Sequence, residues 1–203
     1  MAVDEQITFF FAVPDPEQVG EVRSTLHQLR REAQDCLIGK VVAEELVIDE
    51  ARKDPHRLFA TVMVLMAGID LLSKLYAGSD KKGEVKKRFV DFSKRYVVNG
   101  SGDVDERAEA LYQGLRNPLI HSFTLHSEEY QMRLVLFQGQ GHPVWLRKGD
   151  SKQVIVSIAG VFDAFVRAVR AYEEDLRSDV DLRARFSAMY AKYGTLAYFV
   201  RPA

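Results

Sequence analysis

The stretch LFATVMVLMAGIDLLSKLYAG, residues 58–78, decides the fold. It is apolar on most sides, as the central member of a helical bundle has to be. Its one polar strip is Asp70, Ser73 and Lys74. Asp54-Pro55 supplies a start signal, Asp as cap and Pro at the first helical position, and Gly78 supplies a C-terminal cap. The longest apolar run, near Phe59 to Ile69, is too short for a bilayer and ends at Asp70. The expectation is a buried core helix, running from Pro55 to Ala77, and no membrane contact.

Outward from that helix the chain keeps a helical period. Upstream, Ile7 to Val13 reads as a short strand or extended arm. Asp15-Pro16, with Gln18 placed to complete a capping box, starts a helix carrying Val19, Val22, Leu26, Leu29, Ala33 and Cys36 on one stripe. Gly39 is expected to bend or interrupt it, and the pattern resumes weakly from Val41 towards Ala51. Downstream, a third helix spans about Glu84 to Val97 and buries Val85, Phe89, Phe92 and Tyr96. Asp103 and Glu106 form a capping box for a fourth, whose buried stripe is Ala108, Leu111, Leu115 and Leu119.

Beyond the fourth helix the period changes to two. Tyr130, Met132, Leu134 and Leu136 alternate, QGQGHP turns the chain, and Val144 and Leu146 alternate again. This is a β-hairpin, with Gln153 to Val156 as a candidate third strand. Ser157 then caps a long helix with Ile158, Val161, Phe162, Phe165, Val169, Tyr172 and Leu176 on one face, and a shorter helix carries Leu182, Phe186, Met189 and Tyr193. The fold class is mainly α: a bundle of four to five helices with a small β-hairpin inserted before the C-terminal helices. One domain, 1–203, divides into a bundle (15–125), a hairpin (126–156) and C-terminal helices (157–203).

The bulk numbers suit such a domain. The chain has 203 residues, 47% hydrophobic and 28% charged, enough to bury a core. Charge is nearly balanced, 28 Lys+Arg against 29 Asp+Glu, so any nucleic-acid contact must come from a local patch. A single cysteine, Cys36, excludes an intrachain disulfide and makes a reducing cytoplasm the default. The opening MAVDEQITFFFAVPDP has no basic segment ahead of its apolar run and does not read as a signal peptide.

The chemistry concentrates in LYQGLRNPLIHSF, Leu111 to Phe123. Arg116, Asn117 and His121 stand among apolar neighbours at the end of the fourth helix. A guanidinium that binds phosphate beside an imidazole that moves protons near neutral pH is a minimal kit for cutting RNA. On an unbroken helix a five-residue offset turns about 140°, so Arg116 and His121 would point to different sides. Pro118 removes a donor and clashes with the Gly114 carbonyl, so the helix is expected to kink or restart there. A restart with Asn117 as cap would leave free N–H groups facing an anion beside Arg116. Alternatively, the two side chains meet counterparts across a two-fold dimer. The plainer alternative has Arg116 in a salt bridge, Asn117 capping and His121 bound to a backbone carbonyl.

The stretch LRNPLIHS resembles the Arg-(polar)-x-x-x-His signature of the HEPN superfamily (higher eukaryotes and prokaryotes nucleotide-binding), small helical bundles with that motif late in the bundle. AGIDLLSKLYAG and RFVDFSKRY ahead of it also look like bacterial members. By helix order the resemblance covers Asp15 to Phe123. It implies a metal-independent, cofactor-free endoribonuclease acting as a homodimer, with both motif copies facing a shared cleft. Arg116 would hold the scissile phosphate, His121 would act as general base or acid on the 2′-hydroxyl and leaving group, and Asn117 would orient one of them. The product would be a 2′,3′-cyclic phosphate. Charge stabilisation is the larger expected term, with proton transfer contributing roughly 10²–10⁴-fold. Defence or toxin systems, with an antitoxin or other protein partner, are the expected setting. The second reading is a non-catalytic dimer binding nucleotide, RNA or a protein.

Two further groups bear on this. Lys86, Lys87, Arg88, Lys94 and Arg95 on the third helix form a candidate RNA-binding face, or else an ordinary solvated one. Asp70, in a mostly apolar helix, would orient or neutralise Arg116, or pair with it for purely architectural reasons. GSGDVD, Gly100 to Asp105, lacks the strand setting of a nucleotidyltransferase site. His126 follows His121 by five and His142 lies in a turn, but no acid or cysteine completes a convincing metal set, and His27 and His56 read as ordinary surface or cap-region residues.

Overall fold

The computed structural model describes residues 1–12, 22–36, 39–42, 45–48, 58–98, 103–122, 124–127, 130–135, 143–147 and 153–197. The fold is mainly α. Helices α1 (Val3–Phe11), α2 (Thr25–Cys36), α3 (Leu58–Ala77), α4 (Val85–Phe92), α5 (Val104–Ala110), α6 (Asn117–Ser122), α7 (Ile158–Ser178) and α8 (Val180–Tyr193) surround one apolar core. Helix α4 runs on into a π-helical turn at Ser93–Val97, and α5 joins α6 through another at Leu111–Arg116.

Helix α3 is the hub: α2, α4, α7 and α8 all pack against it. Its segment Phe59–Ala77 is long and apolar enough to cross a bilayer, longer than the sequence run suggests, but 61% of it is buried inside the protein. Val62, Leu65, Met66, Ile69, Leu72 and Leu75 fill the core instead. Gly78 ends the helix in the left-handed region, φ 65°, and its N–H donates to the Lys74 carbonyl (2.9 Å). A Cβ at this position would also come within 2.9 Å of Arg185 Cβ and 3.0 Å of its Cα. Gly78→Ala is therefore expected to lower stability by about 1–3 kcal/mol, combining the left-handed strain with a contact to backbone. Urea denaturation measures it, and an unchanged midpoint would contradict the cap.

Several sequence expectations fail at the N-terminal end. Residues 3–11 are a helix rather than a strand or arm. The β-forming run Ile-Thr-Phe-Phe-Phe misleads, because Ile7, Phe10 and Phe11 fall on one helical face and bury it. Phe10 and Phe11 meet Phe186 at 5.5 and 6.1 Å between ring centroids, so α1 packs on α8. The second helix starts only at Thr25. Val22–Ser24 is a strand, β1, paired antiparallel with β7 (Thr195–Ala197). The weak helical pattern after Gly39 is a hairpin of β2 (Gly39–Val42) and β3 (Glu45–Ile48), as its Val and Ile content favours. The start signals Asp15-Pro16 and Asp54-Pro55 lie outside the described residues.

The inserted sheet differs from the expected hairpin in its pairing. Strands β4 (Gln131–Val135) and β5 (Val144–Arg147) do not meet. Both flank β6 (Gln153–Ser157), β4 in parallel and β5 antiparallel. Val154, Ile155 and Val156 are all buried, as a central strand requires. The Ser157 hydroxyl accepts from Gly160 N (3.1 Å) and caps α7 as expected. By contrast the Asp103 side chain does not cap α5.

An aromatic cluster closes the core between α3, α4 and α7. Tyr96 and Tyr172 rings lie 5.7 Å apart, and the Tyr96 hydroxyl donates to Asp175 (2.7 Å). Burial, then the bond to Asp175, raises the Tyr96 pKa; burial foremost raises that of Tyr172. Raised values mean the neutral phenols belong to the folded state. Their contribution is complete below the unfolded value near 10 and is lost as pH rises from there towards the folded values. Stability measured by urea is expected to fall above about pH 10, and Tyr96→Phe is expected to reduce that fall. A pH-independent midpoint up to strong alkali would contradict it.

Candidate functional site

The motif sits where α3, the widened turn 111–116 and the inserted sheet meet. The helix does not break at Pro118. Asn117 has helical angles (φ −68°, ψ −52°), and its N–H reaches back five residues to the Tyr112 carbonyl. The wider π turn separates the ring of Pro118 from the preceding carbonyls, so the proline is accommodated without a restart. Asn117 is thus not an N-cap, and the expected fan of free N–H groups is not formed. Gly114 has its own reason: a Cβ there would run into the thioether of Met132, so its bare backbone lets β4 approach the turn.

The unbroken helix turns Arg116 and His121 to different sides. Arg116 is 9% exposed. His121 is exposed, as is Ile120 beside it, and Asn117 is half-buried. Within one subunit the structure does not bring the guanidinium and the imidazole to a common point.

What it does bring together is Arg116 and Asp70. Arg116 Nη2 donates to Asp70 Oδ1 at 3.0 Å, and the guanidinium lies 5.6 Å from the centroid of the Tyr112 ring. The second Asp70 oxygen, Oδ2, binds Lys74 Nζ at 2.8 Å. One carboxylate, on a side chain 12% exposed, therefore serves two cations. Arg116 Nε is buried with no hydrogen-bond partner. Lys74 also lies over the Tyr193 ring at 5.0 Å. Sequence reading missed Lys74, although it stands one turn from Asp70 on the polar strip.

The basic run on α4 is not one solvated face. Arg88 is 5% exposed and donates to the Lys81 carbonyl (2.8 Å), which corrects its place in the candidate RNA-binding set. Lys86 pairs with Glu109 (2.8 Å) and Lys94 with Asp105 (2.7 Å), riveting α4 and the π turn after it to α5. Arg95 pairs with Asp175 of α7 (2.7 Å). Lys87 is exposed. His56 and His142 lie outside the described residues. Among the described residues no three His, Cys, Asp or Glu side chains are grouped to hold a metal ion.

Compared with protein-family models, with curated proteins and with solved structures, the chain finds no match.

Proposed function

We propose that this chain is a metal-independent endoribonuclease of the HEPN type, working as a homodimer whose site is completed between two copies. The observation that carries the reading is the sharing of Asp70 by Arg116 and Lys74. Two cations and one carboxylate leave a surplus positive charge in a place largely closed to water, where it attracts an anion most strongly. The unpartnered Nε of Arg116 is a donor still to be satisfied. A phosphodiester supplies both the charge and the acceptor.

The imidazole comes from the other copy. His121 is exposed beside Ile120, an apolar side chain that a second subunit would cover. In the reaction His121 removes the proton of a ribose 2′-hydroxyl. The oxygen attacks the adjacent phosphorus, the bond from phosphorus to the 5′-oxygen breaks, the leaving 5′-oxygen takes a proton from water, and the imidazolium returns its proton to water. The products are a 2′,3′-cyclic phosphate and a 5′-hydroxyl. The single cysteine fits work in a reducing cytoplasm, and defence or a toxin system, with an antitoxin as protein partner, is the setting the motif suggests.

A second reading is favoured by the burial of Arg116. A guanidinium held by Asp70 and Tyr112 serves architecture well, and the dimer would then bind nucleotide, RNA or protein without cutting. Incubating purified protein with RNA in chelator separates the two. The nuclease reading expects fragments ending in cyclic phosphate. Intact RNA, with binding weakened by Arg116→Lys, would leave the second reading.

A further inference from the structure

We infer that the C-terminal end of α3, the π turn after α4 and one face of α8 form a binding strip for the backbone of single-stranded RNA. The inference rests on the ribonuclease reading and extends it away from Arg116.

The strip consists of two cation–aromatic sets. Arg95 and Arg185 lie over the Tyr76 ring, at 5.8 and 5.5 Å from its centroid. Lys74 and Lys192 lie over the Tyr193 ring, at 5.0 and 5.3 Å. Arg185 and Lys192 are seven residues apart, hence on one face of α8 and about 10 Å apart along it. Lys74 joins the strip to the motif, because it shares Asp70 with Arg116. A strand lying along the strip would lead to the guanidinium assigned to the scissile phosphate.

The chemistry of the strip suits phosphate in particular. Arg95 is committed to Asp175, whereas Arg185, held over the same ring by its face, presents its guanidinium to an oxyanion. Arg185 donates Nε to the Asp181 carbonyl (3.3 Å) and meets no carboxylate among the described residues. The acids nearby act as fasteners. Asp175 holds Arg95 and the Tyr96 hydroxyl, and Asp80 holds Lys192 and the Tyr193 hydroxyl. The bonds from Lys192 and Tyr193 push the Asp80 pKa down to about 2, so this fastener stays ionised. The cations cover the rings of Tyr76 and Tyr193, so the strip addresses the phosphate backbone and leaves the bases outward, as a flexible single strand permits and a rigid duplex does not.

The test is fluorescence anisotropy of the full chain with a short labelled single-stranded 2′-O-methyl RNA, which 2′-hydroxyl attack cannot cut. Arg185→Ala combined with Lys192→Ala is expected to weaken binding at least tenfold. It is also expected to lower the log–log salt slope by about 0.7 for each phosphate that is no longer neutralised. Arg167→Ala, exposed on α7 outside the strip, serves as the control. Thermal unfolding of each variant is recorded. Lys192→Gln, at an exposed side chain, gives the same sign at smaller size if the double variant is unstable. Unchanged binding by the strip variants, an equal loss at Arg167, or tighter binding of duplex RNA would overturn the strip. Strip-dependent binding without cleavage of ordinary RNA would remove the nuclease reading alone, whereas cleavage with strip-independent binding would remove the strip alone.

Discussion

His121→Ala is expected to abolish RNA cleavage while leaving the protein folded. The imidazole is exposed at the end of α6, so its removal opens no cavity. Loss of proton transfer alone accounts for roughly 10²–10⁴-fold in rate. His121→Gln, which keeps a hydrogen-bonding group but cannot take the proton at neutral pH, is expected to be equally inactive. Initial cleavage rates in chelator, alongside thermal unfolding curves, measure both quantities. Full activity of His121→Ala would remove the imidazole from the mechanism.

Asp70→Ala is expected to be the most destabilising polar substitution at the site, by about 3–5 kcal/mol in urea. It strands Arg116 in a buried position with no carboxylate and deprives Lys74 of the same partner. Arg116→Met should cost less, because Asp70 keeps Lys74 and the thioether replaces much of the missing volume. The double variant should be less destabilised than the sum of the two single ones. A loss under about 1 kcal/mol for Asp70→Ala would mean that the pair is solvated and its surplus charge ordinary. This experiment concerns the folded state alone, so its outcome is independent of whether the protein cuts RNA.

Long helices with a strong apolar stripe are the parts of this fold that local sequence specifies. Helix α7 is an example: its Ser157 cap and its stripe from Ile158 to Leu176 are both local and both present. The N-terminal third misleads for physical reasons. Phe9, Phe10 and Phe11 favour a strand by intrinsic preference, but docking on Phe186 selects the helix. Val22–Ser24 pairs with a strand some 170 residues later, a partnership that periodicity does not encode. In the inserted sheet, alternation reveals the strands β4 and β5 but not that β6 runs between them.

The site divides in the same way. Asp70 stands out as a charge in an apolar helix, which is why its meeting with Arg116 is legible in the sequence. Pro118 is harder to read. A proline in a helix commonly breaks it, and here a π turn absorbs it, leaving Arg116 buried and His121 exposed on one continuous helix. The contacts of Lys74 with Tyr193 and of Tyr76 with Arg185 join α3 to α8 across more than a hundred residues, and nothing in either segment announces them.

The burial of Arg116 and the exposure of His121 make cooperation between subunits the central claim. The most direct measurement mixes two inactive variants, Arg116→Ala and His121→Ala, under conditions that exchange subunits. A mixed dimer carries one intact guanidinium and one intact imidazole on different chains. The account predicts that mixing restores RNA cleavage that neither variant shows alone. A mixture that stays inactive, with wild-type protein cutting RNA under the same conditions, would contradict it.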